Sequence, residues 1–448
     1  MKRVPDKDKR YNVMISWLLK LFGKKSLKIK TTKHLSESEL TYIRSANLEL
    51  GMYVAELDRP WLESPFKLQG FNIKTERELG VLKNICYYVY IDRARESKLS
   101  LAAKSKAANS SLILGTAPKK KGSFEKEIHN ATKNYRATGQ LVSDFMQRVK
   151  NGGGIDTKLA KEAVASSVNS ILQSPDAHLW LTQLKKKDEY TAQHSLNVSM
   201  LSIVLGRHIG LSTQELRNLG LCGMMHDMGK MLIPSAILNK PSELNPEELD
   251  IMKTHTTLGA ELLKSSENMF HGAIETALTH HERIKGQGYP QGLKNSGVSF
   301  YSNIVSIVDT YDALTSDKVY KKGMTHLEAT QVLYQQAGEQ FDRPLVSKFI
   351  ESLGVFPPGC YVQLSDNQIA LVLEVNEESK LRPRVMTIMD RYMNPVKEMV
   401  INLDKVLTDS KGRSLRIQGI VSPEAFNIDR EKHFQEGVIS NGFAMGNS

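Results

Sequence analysis

The sequence predicts a mainly α protein, in which a helical bundle lies between a small N-terminal α/β or β domain and a small β-rich C-terminal appendage. Three observations support this. Between about residues 176 and 354 the start and stop signals are all helical. Residues 40–98 contain short runs rich in Val and Tyr, which favour strands. Similar β-rich runs return after Pro357-Pro358-Gly359.

Length and composition exclude several classes of protein. A chain of 448 residues predicts two or three domains, and 40% hydrophobic with 24% charged residues is typical of a globular protein. No uninterrupted apolar run of about 18 residues is present, so a membrane-spanning helix is not expected. The cysteines are Cys86, Cys222 and Cys360, which are too few and too scattered for a disulfide framework. We expect buried thiols and a cytoplasmic location.

The N-terminal 39 residues form a basic tail. Residues 1–40 hold eleven Lys or Arg against four Asp or Glu, whereas the rest of the chain is nearly balanced in charge. We therefore do not expect binding to a nucleic acid polymer. Residues 11–30 place Trp17, Leu21 and Phe22 on one helical face and lysines off it, which suits peripheral contact with an anionic membrane. A disordered tail, or a helix docked on the protein itself, remains the alternative.

The N-terminal domain is predicted over residues 40–98, with strands in residues 51–57 and 84–92. A linker rich in Ser, Ala and Lys follows over residues 99–123. Residues 124–175 resume a helical pattern and form connecting helices.

The bundle over residues 176–354 is predicted from its helix caps. Ser212 and Thr325 each precede a Glu at capping-box spacing, and Asn245 precedes Pro246 and two acids. Ser299 and Asp342 can cap two further helices, the second of which stops at Gly354.

The C-terminal appendage is predicted over residues 355–422. Its strands are expected in the runs CYVQL, IALVLEV and RVMTIM. Residues 423–448 form a tail with little pattern.

Histidines and aspartates in the bundle predict a metal site. His226 is followed by Asp227, His280 by His281, and His194, His255 and Asp309 lie on other predicted helices. Facing helices of a bundle can gather such side chains into one cluster. Five imidazoles and two carboxylates can hold two divalent metals with Asp227 between them, and ligands without thiolate suit Fe, Mn, Co, Ni or Zn. His208, His271 and His326 are interpreted as ordinary surface or core histidines.

The segments HDMGK and HHERIKGQGYP strongly resemble the HD-GYP family of HD-type metal-dependent phosphohydrolases. The resemblance continues in order through YTAQHS, MKTHTTLG, IVSIVDTYDALTSDKVYKKG and FDRPLVSKFI, over roughly residues 180–355. The segment LELGMYVAELDRPWLESPFKLQGFNI resembles a domain of unknown function that often precedes HD-GYP domains. The resemblance implies hydrolysis of the bacterial second messenger cyclic di-GMP to pGpG, or on to GMP, with two divalent metals, most simply Fe or Mn.

The resemblance also assigns roles to individual residues. Those that match the family's metal ligands are His194, His226, Asp227, His255, His280, His281 and Asp309. Asp227 and Lys230 would be catalytic, and Lys230, Lys318 and Lys321 match basic positions that face phosphate. Those that match the loop shaping the substrate pocket are Gly286, Gly288, Tyr289 and Pro290. Glu282 is expected to support the ligands rather than to bind metal.

Two positions depart from the family pattern. Lys285 stands where the family usually has aspartate, which changes a charge near the predicted phosphate site. Tyr190 stands four residues before His194, where some relatives have a glutamate that binds a third metal, so we expect two metals.

Two alternatives remain open at this point. The first is a non-catalytic protein that binds cyclic di-GMP, and the second is an HD hydrolase of another cyclic dinucleotide. A homodimer is compatible with the sequence.

Overall fold

The computed structural model describes most of the chain between residues 40 and 428. The described ranges are 40–45, 48–57, 65–66, 70–86, 88–92, 95, 122, 124–184, 190–294, 297–317, 322–376, 378–406, 408 and 412–428. The predicted tail of residues 1–39, nearly all of the linker and the residues beyond 428 lie outside this part. The described residues belong to two compact units, one before residue 116 and one from there onward.

The N-terminal unit is a four-stranded antiparallel sheet with one helix. Its strands are β1 (Leu40–Arg44), β2 (Tyr53–Leu57), β3 (Phe71–Asn72) and β4 (Tyr88–Asp92), in the order β1-β4-β2-β3. Helix α1 (Glu76–Ile85) precedes β4. The core of this unit is apolar, and Val54, Ile73, Leu82, Val89 and Ile91 are fully buried.

The prediction of a strand over residues 84–92 is wrong at its start. Asn84 and Ile85 end α1, and the strand begins only at Tyr88. Thr75 and Glu78 form a reciprocal capping box that opens α1, and the helix continues through Ile85 to an extended C-cap at Cys86.

The second unit is a helical bundle followed by a sheet. In chain order the helices are α2 (Phe124–Lys150), α3 (Thr157–Gln173), α4 (Pro175–Thr182), α5 (Tyr190–His208), α6 (Thr213–Met225), α7 (Ser235–Leu238), α8 (Pro246–Lys253), α9 (His255–Ser265), α10 (His271–Thr279), α11 (Phe300–Thr315), α12 (His326–Gln336) and α13 (Arg343–Leu353). A 3₁₀ helix, Met228–Leu232, follows α6.

Helix α5 lies in the middle of the bundle. Its residues 194–207 are all buried, so every face of the helix is covered, and it packs against α2, α6 and α11. Helices α5 and α6 approach closely because Gly223 has no side chain: a Cβ there would lie 2.8 Å from Ser199 Cα. This contact fixes the end of α6, where His226 and Asp227 follow.

The predicted helix caps are confirmed. Ser212, Asn245 and Thr325 each form a complete capping box, and Ser299 and Asp342 each accept a hydrogen bond from their own helix. Helix α13 ends at Gly354, whose φ is 78°. The caps at Ser212 and Ser299 set the starts of α6 and α11, two of the helices that position the candidate site.

The C-terminal sheet has five antiparallel strands in the order β8-β7-β6-β5-β9. They are β5 (Tyr361–Leu364), β6 (Ile369–Glu374), β7 (Arg384–Met389), β8 (Pro395–Asn402) and β9 (Ile417–Val421). The three predicted strands are confirmed, and β8 and β9 are additional. Arg384 pairs with Glu374 and with Glu125 of α2, which attaches the sheet to the start of that helix.

The mainly α fold class is therefore confirmed. Among the described residues, no helix combines the length and apolar character needed to cross a bilayer. The thiols of Cys86, Cys222 and Cys360 are buried, as expected.

Candidate metal centre

The structure brings together the seven residues that the sequence proposed as ligands. His194 lies on α5, His226 and Asp227 follow α6, His255 begins α9, His280 and His281 follow α10, and Asp309 lies on α11. All are buried except His281, which is partly exposed. Residues separated by more than a hundred positions thus meet in one polar cluster inside the bundle.

Asp227 lies between two groups of ligands. Its Oδ2 atom is 3.2 Å from His226 Nε2 and 3.6 Å from His194 Nε2. Its Oδ1 atom is 3.4 Å from His255 Nε2 and 3.7 Å from His280 Nε2. Each carboxylate oxygen therefore faces a different set of imidazoles.

We name these sets by their first members. The His194 group consists of His194, His226 and Asp309, and the His255 group consists of His255, His280 and His281. The ligand atoms of His255, His280 and His281 all lie within 4.8 Å of one another, and so do those of His194, His226 and Asp227. In the His194 group, Asp309 Oδ1 lies 3.0 Å from His194 Nε2.

Backbone carbonyls orient three of the imidazoles. The Nδ1 atom lies 2.8 Å from the Gly223 carbonyl in His226, 2.7 Å from the Met252 carbonyl in His255 and 3.0 Å from the Thr276 carbonyl in His280. A carbonyl oxygen only accepts, so the proton is assigned to Nδ1. The lone pair of each Nε2 is then directed at the centre, as a metal ligand requires.

His194 differs because a carboxylate replaces the carbonyl. Its Nδ1 lies 2.8 Å from Asp312 Oδ2. Burial lowers its pKa, but the hydrogen bonds to Asp309 and Asp312 outweigh burial and raise the pKa of His194 to about 9. A proton and a metal cation would compete for the same Nε2 lone pair.

The remaining electrostatics favour anionic carboxylates beside neutral imidazoles. Burial raises the pKa of Asp227, but His226 and Lys230 hold it well below its usual range. Burial lowers the pKa of His280 strongly and that of His281 to about 3. Neutral imidazoles and ionised carboxylates are the protonation states that bind divalent metals.

The donor set fits divalent cations. Two buried atoms at its centre, His226 Nε2 and Asp227 Oδ1, have no hydrogen-bond partner among the described residues. Buried polar atoms are usually satisfied, and leaving one unpaired costs about 1–3 kcal/mol. A cation between the groups would pair both atoms, and nitrogen and oxygen donors without thiolate suit Fe, Mn, Co, Ni or Zn.

Lys230 places a positive charge beside the shared carboxylate. Its Nζ atom lies 2.5 Å from Asp227 Oδ2, and its side chain is 23% exposed. The 3₁₀ helix that carries it packs tightly on α9, since a Cβ on Gly229 would lie 2.0 Å from the His255 carbonyl oxygen. Lys230 therefore stands between the buried carboxylate and the solvent.

The loop after His281 is built around Glu282. This buried side chain accepts hydrogen bonds from the backbone N–H groups of Gln291, at 2.7 Å, and Leu293, at 2.9 Å. A Cβ on Gly288 would lie 2.4 Å from Glu282 Cα, so only glycine fits there. The Tyr289 ring stacks on His281 with centroids 4.7 Å apart, and Pro290 follows it. Glu282 therefore supports the loop that borders the cluster.

The ammonium of Lys285 forms an ion pair with the carboxylate of Glu339. The two charged atoms are 2.5 Å apart, and the side chains are 49% and 65% exposed. Gly286, which follows, has a φ of 79°, a conformation that favours glycine. The positive charge that Lys285 introduces in place of the family's usual aspartate is thus offset by the Glu339 carboxylate.

Some predicted positions are not tested by the structure. Lys318 and Lys321 lie outside the described residues, as does the side chain of Tyr190. The three histidines interpreted as ordinary make contacts or lie at positions of their own. His208 pairs with Glu351, His271 is exposed, and His326 is buried between the Tyr311 hydroxyl and the Gly354 carbonyl.

Sequence reasoning did not identify Asp312, Asn197 or Gly229. Asp312 could have been found from its spacing, because Asp309 and Asp312 are three residues apart on α11 and their side chains share one helical face. Asn197 is related to His194 by the same spacing on α5. Gly229 had no usable signal, because its role depends on contact with α9.

Three family models match the chain. The HD domain model matches residues 176–345, a model for a domain of unknown function (DUF3391) matches residues 40–160, and a KOW domain associated with HD domains matches residues 361–426. The second match runs past the predicted linker, through α2 and into the start of α3. The third covers the C-terminal sheet.

Curated relatives match over different lengths. The cyclic di-GMP phosphodiesterase PA4108 of Pseudomonas aeruginosa is 35% identical over 395 residues, which are 87% of this chain and 94% of that protein. The cyclic di-GMP phosphodiesterase response regulator RpfG of Xanthomonas campestris is 38% identical over 168 residues, which are 36% of this chain and 44% of that protein.

Among solved structures, the HDG"Y"P protein Bd1817 of Bdellovibrio bacteriovorus aligns with a TM-score of 0.43 at 18% identity, over 69% of this chain and 98% of that one. The identity to the Pseudomonas protein extends over most of both chains and includes the domains on either side of the HD bundle. This protein therefore belongs to the HD-GYP family of HD-domain proteins.

Proposed function

We propose that this protein is a phosphodiesterase that hydrolyses cyclic di-GMP with two divalent metal ions. The single observation that carries the proposal is the position of Asp227. Its two oxygens face two separate groups of imidazole nitrogens, all within 3.7 Å of the carboxylate. A carboxylate in this position suits a bridging ligand of a two-metal site.

The ligands divide between the two groups. His194, His226 and Asp309 would hold one ion, the His255 group would hold the other, and Asp227 would contribute to both. When bound, two such ions would lower the pKa of a water molecule and neutralise phosphate oxygens. Among the metals that this donor set can bind, the resemblance to the family favours iron or manganese. The absence of a carboxylate at position 190 favours two ions over three.

Cationic side chains would bind the phosphodiester. Lys230 is placed for this, because its ammonium is partly exposed next to the shared carboxylate. A lysine there offsets the negative charge that grows on phosphate during hydrolysis. Lys318 and Lys321 are assigned the same role on the resemblance to the family alone.

The loop of Gly286, Gly288, Tyr289 and Pro290 would form one wall of the substrate pocket. The side chain of Glu282 accepts hydrogen bonds from backbone N–H groups of this segment, and the Tyr289 ring stacks on the His281 ring. The glycines allow a ligand to approach the backbone closely. Lys285 pairs with Glu339 at the surface, so we expect it to leave hydrolysis intact.

The relatives support the choice of substrate. The proteins from Pseudomonas and Xanthomonas are both named cyclic di-GMP phosphodiesterases. A relative in Vibrio cholerae that is named a 3′3′-cGAMP-specific phosphodiesterase is 32% identical over 38% of this chain. Hydrolysis of cyclic GMP-AMP is therefore the second candidate activity, and binding of cyclic di-GMP without hydrolysis is the third.

The proposal is tested on anaerobically purified protein by measuring bound metal and products together. The wild-type chain should contain two ions and convert cyclic di-GMP to pGpG or GMP faster than cyclic GMP-AMP. Asp227→Ala should lose both ions and about a thousandfold or more in turnover, because the shared ligand is gone. Asp144→Ala, a change of the same type on the exposed side of α2, should match the wild type.

Each alternative has its own outcome. Binding of cyclic di-GMP without product from the metal-loaded chain would indicate a non-catalytic binding protein. Faster turnover of cyclic GMP-AMP would change the assigned substrate. Full activity in Asp227→Ala would contradict the metal site itself.

Three further expectations remain proposals: a cytoplasmic location, peripheral membrane contact through residues 11–30, and a homodimer. Co-sedimentation with anionic vesicles tests the membrane contact, using a chain that starts after residue 39 as the control. Light scattering across a concentration series tests the dimer.

A further inference from the structure

A chain of hydrogen bonds leads into the metal centre from a helix outside the HD domain match. It begins at Tyr135 on α2, whereas the HD domain model matches only residues 176–345. The Tyr135 side chain is buried, and its hydroxyl donates to Asn197 Oδ1 at 2.5 Å. Burial raises the pKa of Tyr135 well above its ordinary value, so the group stays a hydroxyl.

Each following bond has a defined direction. The Asn197 amide donates through Nδ2 to Asp312 Oδ1 at 3.1 Å, and Asp312 Oδ2 lies 2.8 Å from His194 Nδ1. A carboxylate accepts, so His194 carries its proton on Nδ1 and directs Nε2 at Asp309 and Asp227. The Tyr135 hydroxyl thus fixes the orientation of the Asn197 amide, and the amide fixes that of the Asp312 carboxylate. The carboxylate in turn fixes the orientation of the His194 ring.

This arrangement distinguishes His194 from three of the other imidazoles. The imidazoles of His226, His255 and His280 are oriented by carbonyls three or four residues earlier in the chain. The orientation of His194 depends instead on three separate helices, α2, α5 and α11, which supply Tyr135, Asn197 and Asp312. A carboxylate partner also makes an imidazole a stronger ligand than a carbonyl partner does.

We propose that Tyr135, acting through Asn197 and Asp312, is a positioning residue that sets the orientation and ligand strength of His194. The inference rests on the proposed metal centre, and it adds a residue of α2 to that centre. Without the hydroxyl, the Asn197 carbonyl oxygen loses a donor and its amide can rotate. Asp312 then loses its amide partner, and His194 is held less firmly. Tyr135 itself touches neither metal nor substrate in this scheme.

The test compares variants of the full-length chain that remove one link each. They are Tyr135→Phe, which removes only the hydroxyl, and Asp312→Asn, which removes the carboxylate. The matched control is Thr138→Val, which removes another buried hydroxyl of α2 that contacts Ser167 and not the chain of bonds. Each protein is stripped of metal and titrated with Co²⁺, and the visible absorption of bound Co²⁺, the dissociation constants and the melting temperature are recorded.

We expect Tyr135→Phe to weaken binding of one of the two Co²⁺ ions by about tenfold and to shift its absorption bands, since loss of outer partners costs about 10–100-fold in metal affinity. Asp312→Asn should weaken the same ion more. Thr138→Val should change the melting temperature only. Wild-type affinity and absorption in Tyr135→Phe, with two ions bound by the wild type, would overturn this inference alone. Absence of Co²⁺ binding by the wild type would overturn it together with the proposed function.

Discussion

The two groups of ligands around Asp227 use the same residue type in different electrostatic surroundings. In the His194 group, His194 contacts the carboxylates of Asp309 and Asp312 at 3.0 and 2.8 Å. In the His255 group, the Nδ1 atoms of His255 and His280 face neutral backbone carbonyls. If each group holds an ion, as we propose, the groups behind the imidazole rings would give the two neighbouring sites unequal strength.

This comparison predicts that the two ions bind with different affinities. Carboxylate ligands and partners lower the energy of a cation more than neutral groups do. We therefore expect the ion of the His194 group to bind first and to leave last. The predictions that follow test this order, from the largest expected effect to the smallest.

Removing a ligand of the His255 group should separate the two sites. His281→Ala should leave one ion per chain, held by the His194 group, and lower turnover by about a hundredfold or more, because two-metal chemistry needs both ions. His226→Ala, the matched change in the other group, should leave the weaker site and so retain less metal than His281→Ala. Equal metal content in the two variants, measured by elemental analysis after dialysis, would remove the proposed asymmetry.

Changing the carboxylate behind His194 should weaken only the stronger site. In Asp312→Asn the new amide can donate to Nδ1, which moves the ring proton to Nε2 and blocks the ligand atom. We expect a loss of about 10–100-fold in affinity for the first ion, while the second keeps its own affinity. Stepwise competition with a chelator measures both constants. An equal loss at both sites would show that the variant acts through general destabilisation.

Among these changes, we expect a change of charge at Lys285 to have the smallest effect on activity. Lys285 and Glu339 form an exposed pair, and such pairs contribute about 0–1 kcal/mol. Lys285→Asp should therefore change kcat by less than about twofold and KM by a few-fold at most. The double variant Lys285→Asp with Glu339→Lys restores a pair of opposite charges and should return KM to the wild-type value. A large loss of kcat would place Lys285 in the catalytic site after all.

Local signals predicted the parts of this molecule that depend on local chemistry. The capping residues Ser212, Asn245 and Thr325 are confirmed because a cap uses only its own first turn. The adjacent pairs His226-Asp227 and His280-His281 indicated a metal site, and the resemblance to the family assigned its ligands. Thr75 and Glu78 carried the same signal, and the helix after them was missed because the surrounding Val and Tyr favoured strands.

The remaining features depend on contacts between distant segments. Gly223 and Gly229 matter because another backbone passes within 3 Å of where a Cβ would lie, which their own neighbours do not reveal. Strand β8 was not predicted, because as an edge strand it is largely exposed and has no regular alternation of buried and exposed residues. The hydrogen bond from Tyr135 to Asn197 joins residues 62 positions apart, so it could not be inferred from a single sequence.

The most direct test of the account is electron paramagnetic resonance of the chain loaded with Mn²⁺. If Asp227 bridges two ions, two Mn²⁺ should bind per chain and give an exchange-coupled spectrum at full loading. The spectrum of the half-loaded chain should be that of a single ion in the His194 group. One ion per chain at saturation, or two ions with uncoupled spectra, would contradict the bridging role of Asp227.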